Sequence, residues 1–153
     1  MSAPRGFAAP ASRPERALAA YVKLMRAADS VTARVHRHLA AHGLSVSQFG
    51  ALEALLHLGP MCQRDIARKL LKSDGNLTVV LAHLERRGLV SRRREPRDRR
   101  QVFVELTPAG RALVEEVFPA HVREIAAALG ALGDGEQETL AALCRKLGRA
   151  QED

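Results

Sequence analysis

Eight arginines fall between positions 86 and 100: Arg86, Arg87, Arg92, Arg93, Arg94, Arg97, Arg99 and Arg100. Only two acids, Glu95 and Asp98, share that window, so it carries +6 of a net charge of +7 for the whole chain. So many guanidinium groups in one place bind an anion rather than make or break bonds. Neutralising the phosphates of a nucleic acid is the task such a stretch suits. Just upstream stand side chains fit to read base edges: Ser73, Asn76, Thr78, Val79 and His83. Asn pairs with adenine through two hydrogen bonds, and a Thr or Val methyl group packs against the thymine methyl. Gln63, Arg64, Lys72, Arg86 and Arg92 are the expected phosphate holders around them. An enzyme is the weak alternative, because no nucleophile elbow, Gly-rich phosphate loop or metal box accompanies the Ser, His and acidic residues.

The elements that must position these residues are legible around them. Ile66, Ala67 and Leu70 give a narrow apolar stripe to a helix over Gln63–Leu71. The run Lys72-Ser73-Asp74-Gly75-Asn76 breaks it, and Ser73 is placed to cap the next helix. Leu77, Val80, Leu81 and Leu84 bury one side of that second helix, over Asp74–Arg87, and Gly88 stands where a helix-ending glycine belongs. Two helices joined this closely form a helix-turn-helix, whose second helix enters the major groove. The arginines then occupy a hairpin. Its strands are Leu89–Arg94 and Gln101–Leu106, the latter alternating Val102, Val104 and Leu106 with Phe103 and Glu105, and Pro96 and Asp98 mark its turn. A charge run is usually only a solvated face. A charge run on a hairpin tip directly after a helix-turn-helix is better explained by DNA.

The flanks read as helices. Met1–Pro14 is rich in Ala, Pro and Ser and is expected to be a mobile tail. Pro14 or Glu15 opens a long helix to about Ala41, with Leu18, Val22, Met25, Val31, Val35 and Leu39 as its stripe. His38 and His42 are spaced i, i+4, as a metal pair would be, but no third ligand is evident, so no metal is expected. Ser47 or Ser45 caps a helix over Gln48–Leu58, stopped by Gly59-Pro60, and Met61-Cys62 supplies a short first strand. Thr107-Pro108 starts another long helix to about Leu129 that Pro119 should kink, and Gly135–Arg149 forms the last, with Leu140, Leu143 and Leu147 in register. The division expected is a tail over 1–13, an N-terminal dimerisation helix over 14–42, a DNA-binding domain over 43–107 and C-terminal dimerisation helices over 108–150. The outer helices have apolar faces that a compact winged domain does not use, which predicts a homodimer.

Composition agrees. Of 153 residues 46 % are hydrophobic but only 3 % aromatic, which favours helices over a β-sandwich. No apolar run approaches the ~20 residues of a membrane span, and the N-terminus lacks the apolar segment of a secretory signal, so the cytoplasm is expected. Cys62 and Cys144 lack the spacing of a zinc site. Both read as ordinary reduced thiols, with Cys62, beside the reading helices, the candidate for redox sensing.

Leu44-Ser45-Val46-Ser47-Gln48-Phe49, Leu84-Glu85-Arg86-Arg87-Gly88-Leu89-Val90, Asp98-Arg99-Arg100 and Leu106-Thr107-Pro108-Ala109-Gly110 stand in the order and spacing of the MarR family of winged helix-turn-helix transcription regulators, which the chain resembles from about Arg16 to Leu147. Lys72-Ser73-Asp74-Gly75-Asn76-Leu77-Thr78 resembles one sublineage. Where family members often carry an acid, this chain has Ala82, followed by His83. The resemblance implies a mainly α (α+β) fold: a winged helix-turn-helix with long N- and C-terminal dimerisation helices and a small antiparallel β-wing. It implies a sequence-specific, homodimeric regulator, a repressor, on a pseudo-palindromic operator in double-stranded DNA, with no cofactor. It implies that Arg100 reaches into the minor groove, that Asp98 orients it, and that Arg97 and Arg99 meet phosphate. It also implies release by a small aromatic effector bound between the dimer helices and the winged lobes; an oxidant is the other candidate for release, and His36, Arg37, His57 and Met61 are the candidate pocket residues. The alternative kept open is a nonspecific architectural DNA-binding or membrane-surface protein.

Overall fold

A computed structural model describes residues 11–70 and 74–151. In order these form α1 (Arg13–Ala40), α2 (Val46–Leu58), β1 (Met61–Cys62), α3 (Gln63–Leu70), α4 (Asp74–Arg86), β2 (Val90–Arg94), β3 (Val102–Leu106), α5 (Pro108–Leu129) and α6 (Asp134–Arg149). The mainly helical fold with a small antiparallel sheet is as expected.

Local chemistry sets the boundaries, and in two places moves them. The Ser12 hydroxyl accepts from the Glu15 N–H while the Glu15 carboxylate accepts from the Ser12 N–H at 2.6 Å. This reciprocal cap draws the start of α1 back to Arg13, so the last residues assigned to the tail are cap and helix. Residues 1–10 of that tail lie outside the described residues. Ser45, not Ser47, caps α2, with Gln48 returning the bond at 3.0 Å, and the helix therefore begins at Val46 rather than Gln48. Gly88, at φ 71°, ends the reading helix in the left-handed conformation that a side chain would resist. α5 is capped by Thr107 and runs on through Pro119 to Leu129.

The three strands pair antiparallel in the order β1-β3-β2. Met61 faces Val104 across one edge, and Val90 to Arg94 run opposite Leu106 to Val102 across the other. Phe49, Leu52 and Leu55 of α2, Ile66 of α3, Leu77, Leu81 and Leu84 of α4, Val90 of β2 and Val104 of β3 are buried in one core. Val35 and Leu39 from the end of α1, and Val114 and Val117 from the start of α5, complete it. The core thus crosses the divisions expected near residues 43 and 107. The reason is packing at the root of the hairpin. The Thr107 N–H donates to the Leu89 carbonyl at 3.1 Å, its hydroxyl donates to the Gly88 carbonyl at 2.5 Å, and Gly110 lies so close that a Cβ there would stand 1.9 Å from the Leu89 oxygen. α5 is seated on the wing before it leaves the lobe.

Other apolar side chains are exposed among the described residues. Leu18, Tyr21, Val22 and Met25 of α1 are exposed, as are Leu140, Leu143 and Leu147 of α6, which has no buried residue. These two helices form a cleft of about 460 Å³ lined by Ala17, Tyr21, Leu24, Leu140, Leu143 and Leu147 among others.

Candidate nucleic-acid interface

Burial of Leu77, Leu81 and Leu84 fixes which side of α4 faces out. That side carries Asn76, Thr78, Val79, His83 and Arg86, all exposed, with Val79 at 68 % despite its apolar chain. The five expected contacts on α4 therefore share one face. Lys72 and Ser73 lie outside the described residues. Gln63, the first residue of α3, donates from its amide to the Thr78 hydroxyl at 2.8 Å, so it is tied to the reading helix itself. His83 Nδ1 and an Arg86 Nη2 lie 3.1 Å apart on the next turn. Gln63, the exposed Arg64 and Arg100 of the hairpin line one cleft of about 200 Å³ together with Cys62 and Val102. The α3 start and the hairpin tip thus share one side of the lobe.

The hairpin is closed by Glu95 N–H to the Gln101 carbonyl and Gln101 N–H to the Asp98 carbonyl, each 2.9 Å. Within the turn the Asp98 carboxylate accepts from the Arg100 N–H at 3.1 Å and lies 3.6 Å from its Nε. Asp98 is thereby turned toward Arg100, whose side chain is 89 % exposed. Arg93, Arg97 and Arg99 are exposed as well, and Arg94 reaches across to the Arg99 carbonyl. Two arginines of the run are used differently. Arg87 donates to the Gly43 carbonyl at 2.7 Å, joining the end of the reading helix to the turn after α1. Arg92 grips both oxygens of Glu85 at 3.2 Å, and its side chain is only 23 % exposed. That hydrogen-bonded guanidinium holds the Glu85 carboxyl below its ordinary value.

The residues proposed for an effector pocket are spread over α1, α2 and β1. His36 and Arg37 are exposed, the exposed His57 sets its ring edge-on to Phe118 at 5.0 Å, and Met61 is half-buried against the core. Another group gathers nearby. The His38 and His121 rings stack at 6.1 Å, His42 meets His38 edge-on at 5.5 Å, and Phe49 lies 4.3 Å from His121. Among the described residues, His38 Nε2 and His121 Nδ1 are buried with no hydrogen-bond partner. Burial lowers the His121 pKa, His38 lowers it further and Glu53 opposes them. Sequence reasoning passed over His121, although Val114, Val117 and His121 fall at i, i+3, i+7 on one apolar face. Among the described residues no three ligating side chains converge as a metal site. Cys62 is half-buried and Cys144 exposed, both as free thiols.

The family model for MarR matches residues 42–101, from the turn after α1 through α2 and the helix-turn-helix to the tip of the hairpin. The helix-turn-helix transcriptional regulator YkoM of Bacillus subtilis (strain 168) is 36 % identical over 134 residues, 88 % of this chain and 87 % of that relative. The chain belongs to the MarR family. A second relative from that organism, the transcriptional regulator MhqR, is 32 % identical over 134 residues, 88 % of this chain and 92 % of MhqR. Among solved structures, BpsR of Bordetella bronchiseptica, whose DNA binding is regulated by 6-hydroxynicotinic acid, superposes with a TM-score of 0.78 at 30 % identity over 84 % of this chain and 98 % of BpsR. MarR-family proteins are DNA-binding transcriptional regulators rather than enzymes. No helix among the described residues is long and apolar enough to cross a membrane.

Proposed function

We propose that this MarR-family chain is a homodimeric repressor of a pseudo-palindromic operator, working in the cytoplasm and released by a small aromatic acid. One observation carries the reading: Gln63, bonded to Thr78 of α4, and the exposed Arg100 line one cleft of the lobe, while the apolar strips of α1 and α6 are exposed among the described residues. Asn76, Thr78, Val79 and His83 read base edges, Arg100 enters the minor groove held by Asp98, and Arg64, Arg86, Arg97 and Arg99 meet phosphate. A narrow minor groove concentrates negative potential, which suits an arginine inserted from the hairpin tip. Two-fold pairing through α1 and α6 sets the two reading helices about one DNA turn, ~34 Å, apart.

An effector acts by favouring one spacing of the lobes over another. The effector of BpsR is an aromatic acid. Here His38, His121 and Phe49 offer buried imidazole nitrogens beside an aromatic ring at the junction of α1, α2 and α5, which suits an aromatic acid better than the exposed His36 and Arg37. The test is selection of duplexes from a random library by the purified protein, followed by sedimentation and by titration of aromatic acids against the complex. The expected result is an inverted repeat bound by two chains and released by an aromatic acid, with a His121→Phe variant that stays bound when the acid is added. Binding without sequence preference would favour an architectural role instead.

A further inference from the structure

We propose that Arg92 is a positioning residue, a latch that sets the hairpin at a fixed distance from the reading helix, and makes no contact with DNA. The inference rests on the reading above, in which α4 and the hairpin grip one duplex together. Arg92 looks like one more phosphate holder in a run of eight arginines, but its surroundings differ from those of its neighbours. In β2 it stands between Ser91 and Arg93, which are exposed, and its cross-strand partner is Val104, which is 1 % exposed. Val90, two residues back on the same strand face, is buried in the core. The stem of Arg92 therefore continues the core face of the sheet toward the hairpin, and its head ends on Glu85 of α4.

Both oxygens of Glu85 are taken, each at 3.2 Å, in the two-pronged geometry that distinguishes arginine from lysine. Glu85 lies in the last turn of α4, one residue before Arg86. The pair spans the two devices that must meet adjacent grooves, one rooted in the helix and one in the strand that leads to Arg100.

The experiment measures affinity for a duplex selected by the wild-type protein, as a function of salt. Arg92→Met is expected to weaken binding roughly threefold to fivefold, the range an exposed two-pronged pair can carry, and to leave the slope of log K against log salt unchanged. Glu85→Gln should weaken binding by a similar factor, although it removes a negative charge. Combining the two should cost no more than either alone, and Arg92→Lys should fail to rescue. The exchange Glu85→Arg with Arg92→Glu keeps the net charge and should restore most of the affinity, which also guards against a variant that merely misfolds. A slope reduced by about one on losing Arg92 would mark a phosphate contact and overturn the proposal, as would a Glu85→Gln variant that binds more tightly. Arg100→Ala is the control for the underlying reading. If Arg100→Ala leaves both affinity and slope untouched, the hairpin does not meet DNA and both fall together.

Discussion

Leucines spaced along one helical face meet opposite fates in α4 and α6. Leu77, Leu81 and Leu84 are fully buried, while Leu140, Leu143 and Leu147 lie open at 38 %, 59 % and 51 %. The difference lies in what surrounds them. α4 is enclosed by α2, α3 and the sheet, with α1 and α5 closing the same core, so the lobe is finished by residues of its own chain. α6 lines a cleft with the N-terminal half of α1 and is tied to the end of α5 through Gln137, and α1 and α6 both present apolar side chains outward. Periodicity therefore reports that a face is apolar, not whose residues cover it. In the lobe the cover is internal. In the terminal helices it is expected to be a second copy.

The comparison can be broken most severely in the lobe. Leu81→Ala should cost about 2–5 kcal/mol, as truncation in a closed core does, seen as a lower urea midpoint. Gly110→Ala should also be strongly destabilising, because its Cβ would meet the Leu89 carbonyl at 1.9 Å and force α5 off the root of the hairpin. If either variant unfolds at the wild-type midpoint, the lobe is not packed as described. Leu143→Glu is the counterpart in α6. It should leave the lobe folded by circular dichroism and convert the dimer to a monomer in sedimentation, with operator affinity lost through pairing alone.

Smaller effects sharpen the same contrast on the DNA side. Arg100→Ala should cost ~1–3 kcal/mol of operator binding and lower the salt slope by about one, while thermal stability stays unchanged because the side chain is exposed. Near neutrality acid should act on the lobe through His121. Its folded pKa lies below the ordinary value, so the unfolded chain takes up the proton first, and stability falls as pH drops below that ordinary value near ~6.5. His121→Phe should flatten the dependence of melting temperature on pH between about 7 and 5; an unchanged slope would show that His121 is not its source.

How much could be read beforehand depends on the same physics. The Ser45 cap, Gly88 past α4 and the Leu77–Leu84 stripe are local signals, and the lobe was legible from them. Asp98 and Arg100, two residues apart, were assigned to one another by family resemblance, and they lie side by side. What the sequence hid depends on contacts between distant positions. Arg92 and Arg100 are the same residue type in one charge run, and only the core face of β2 and the position of Glu85 separate their roles. His121 meets His38 across α1 and α5, far apart in the chain, so its burial had no local mark beyond an apolar register. The seating of α5 on Leu89 likewise required a glycine whose reason is a carbonyl oxygen contributed from another element.

In the proposed complex two chains, paired through α1 and α6, each grip a duplex with α4 and an arginine-tipped hairpin. Hydroxyl-radical footprinting on a selected duplex puts that arrangement to the test. Two protected half-sites related by a two-fold axis, about one helical turn apart, with flanking minor-groove protection that disappears in Arg100→Ala, are the predicted result. A single protected stretch, or flanking protection that survives the loss of Arg100, would contradict it.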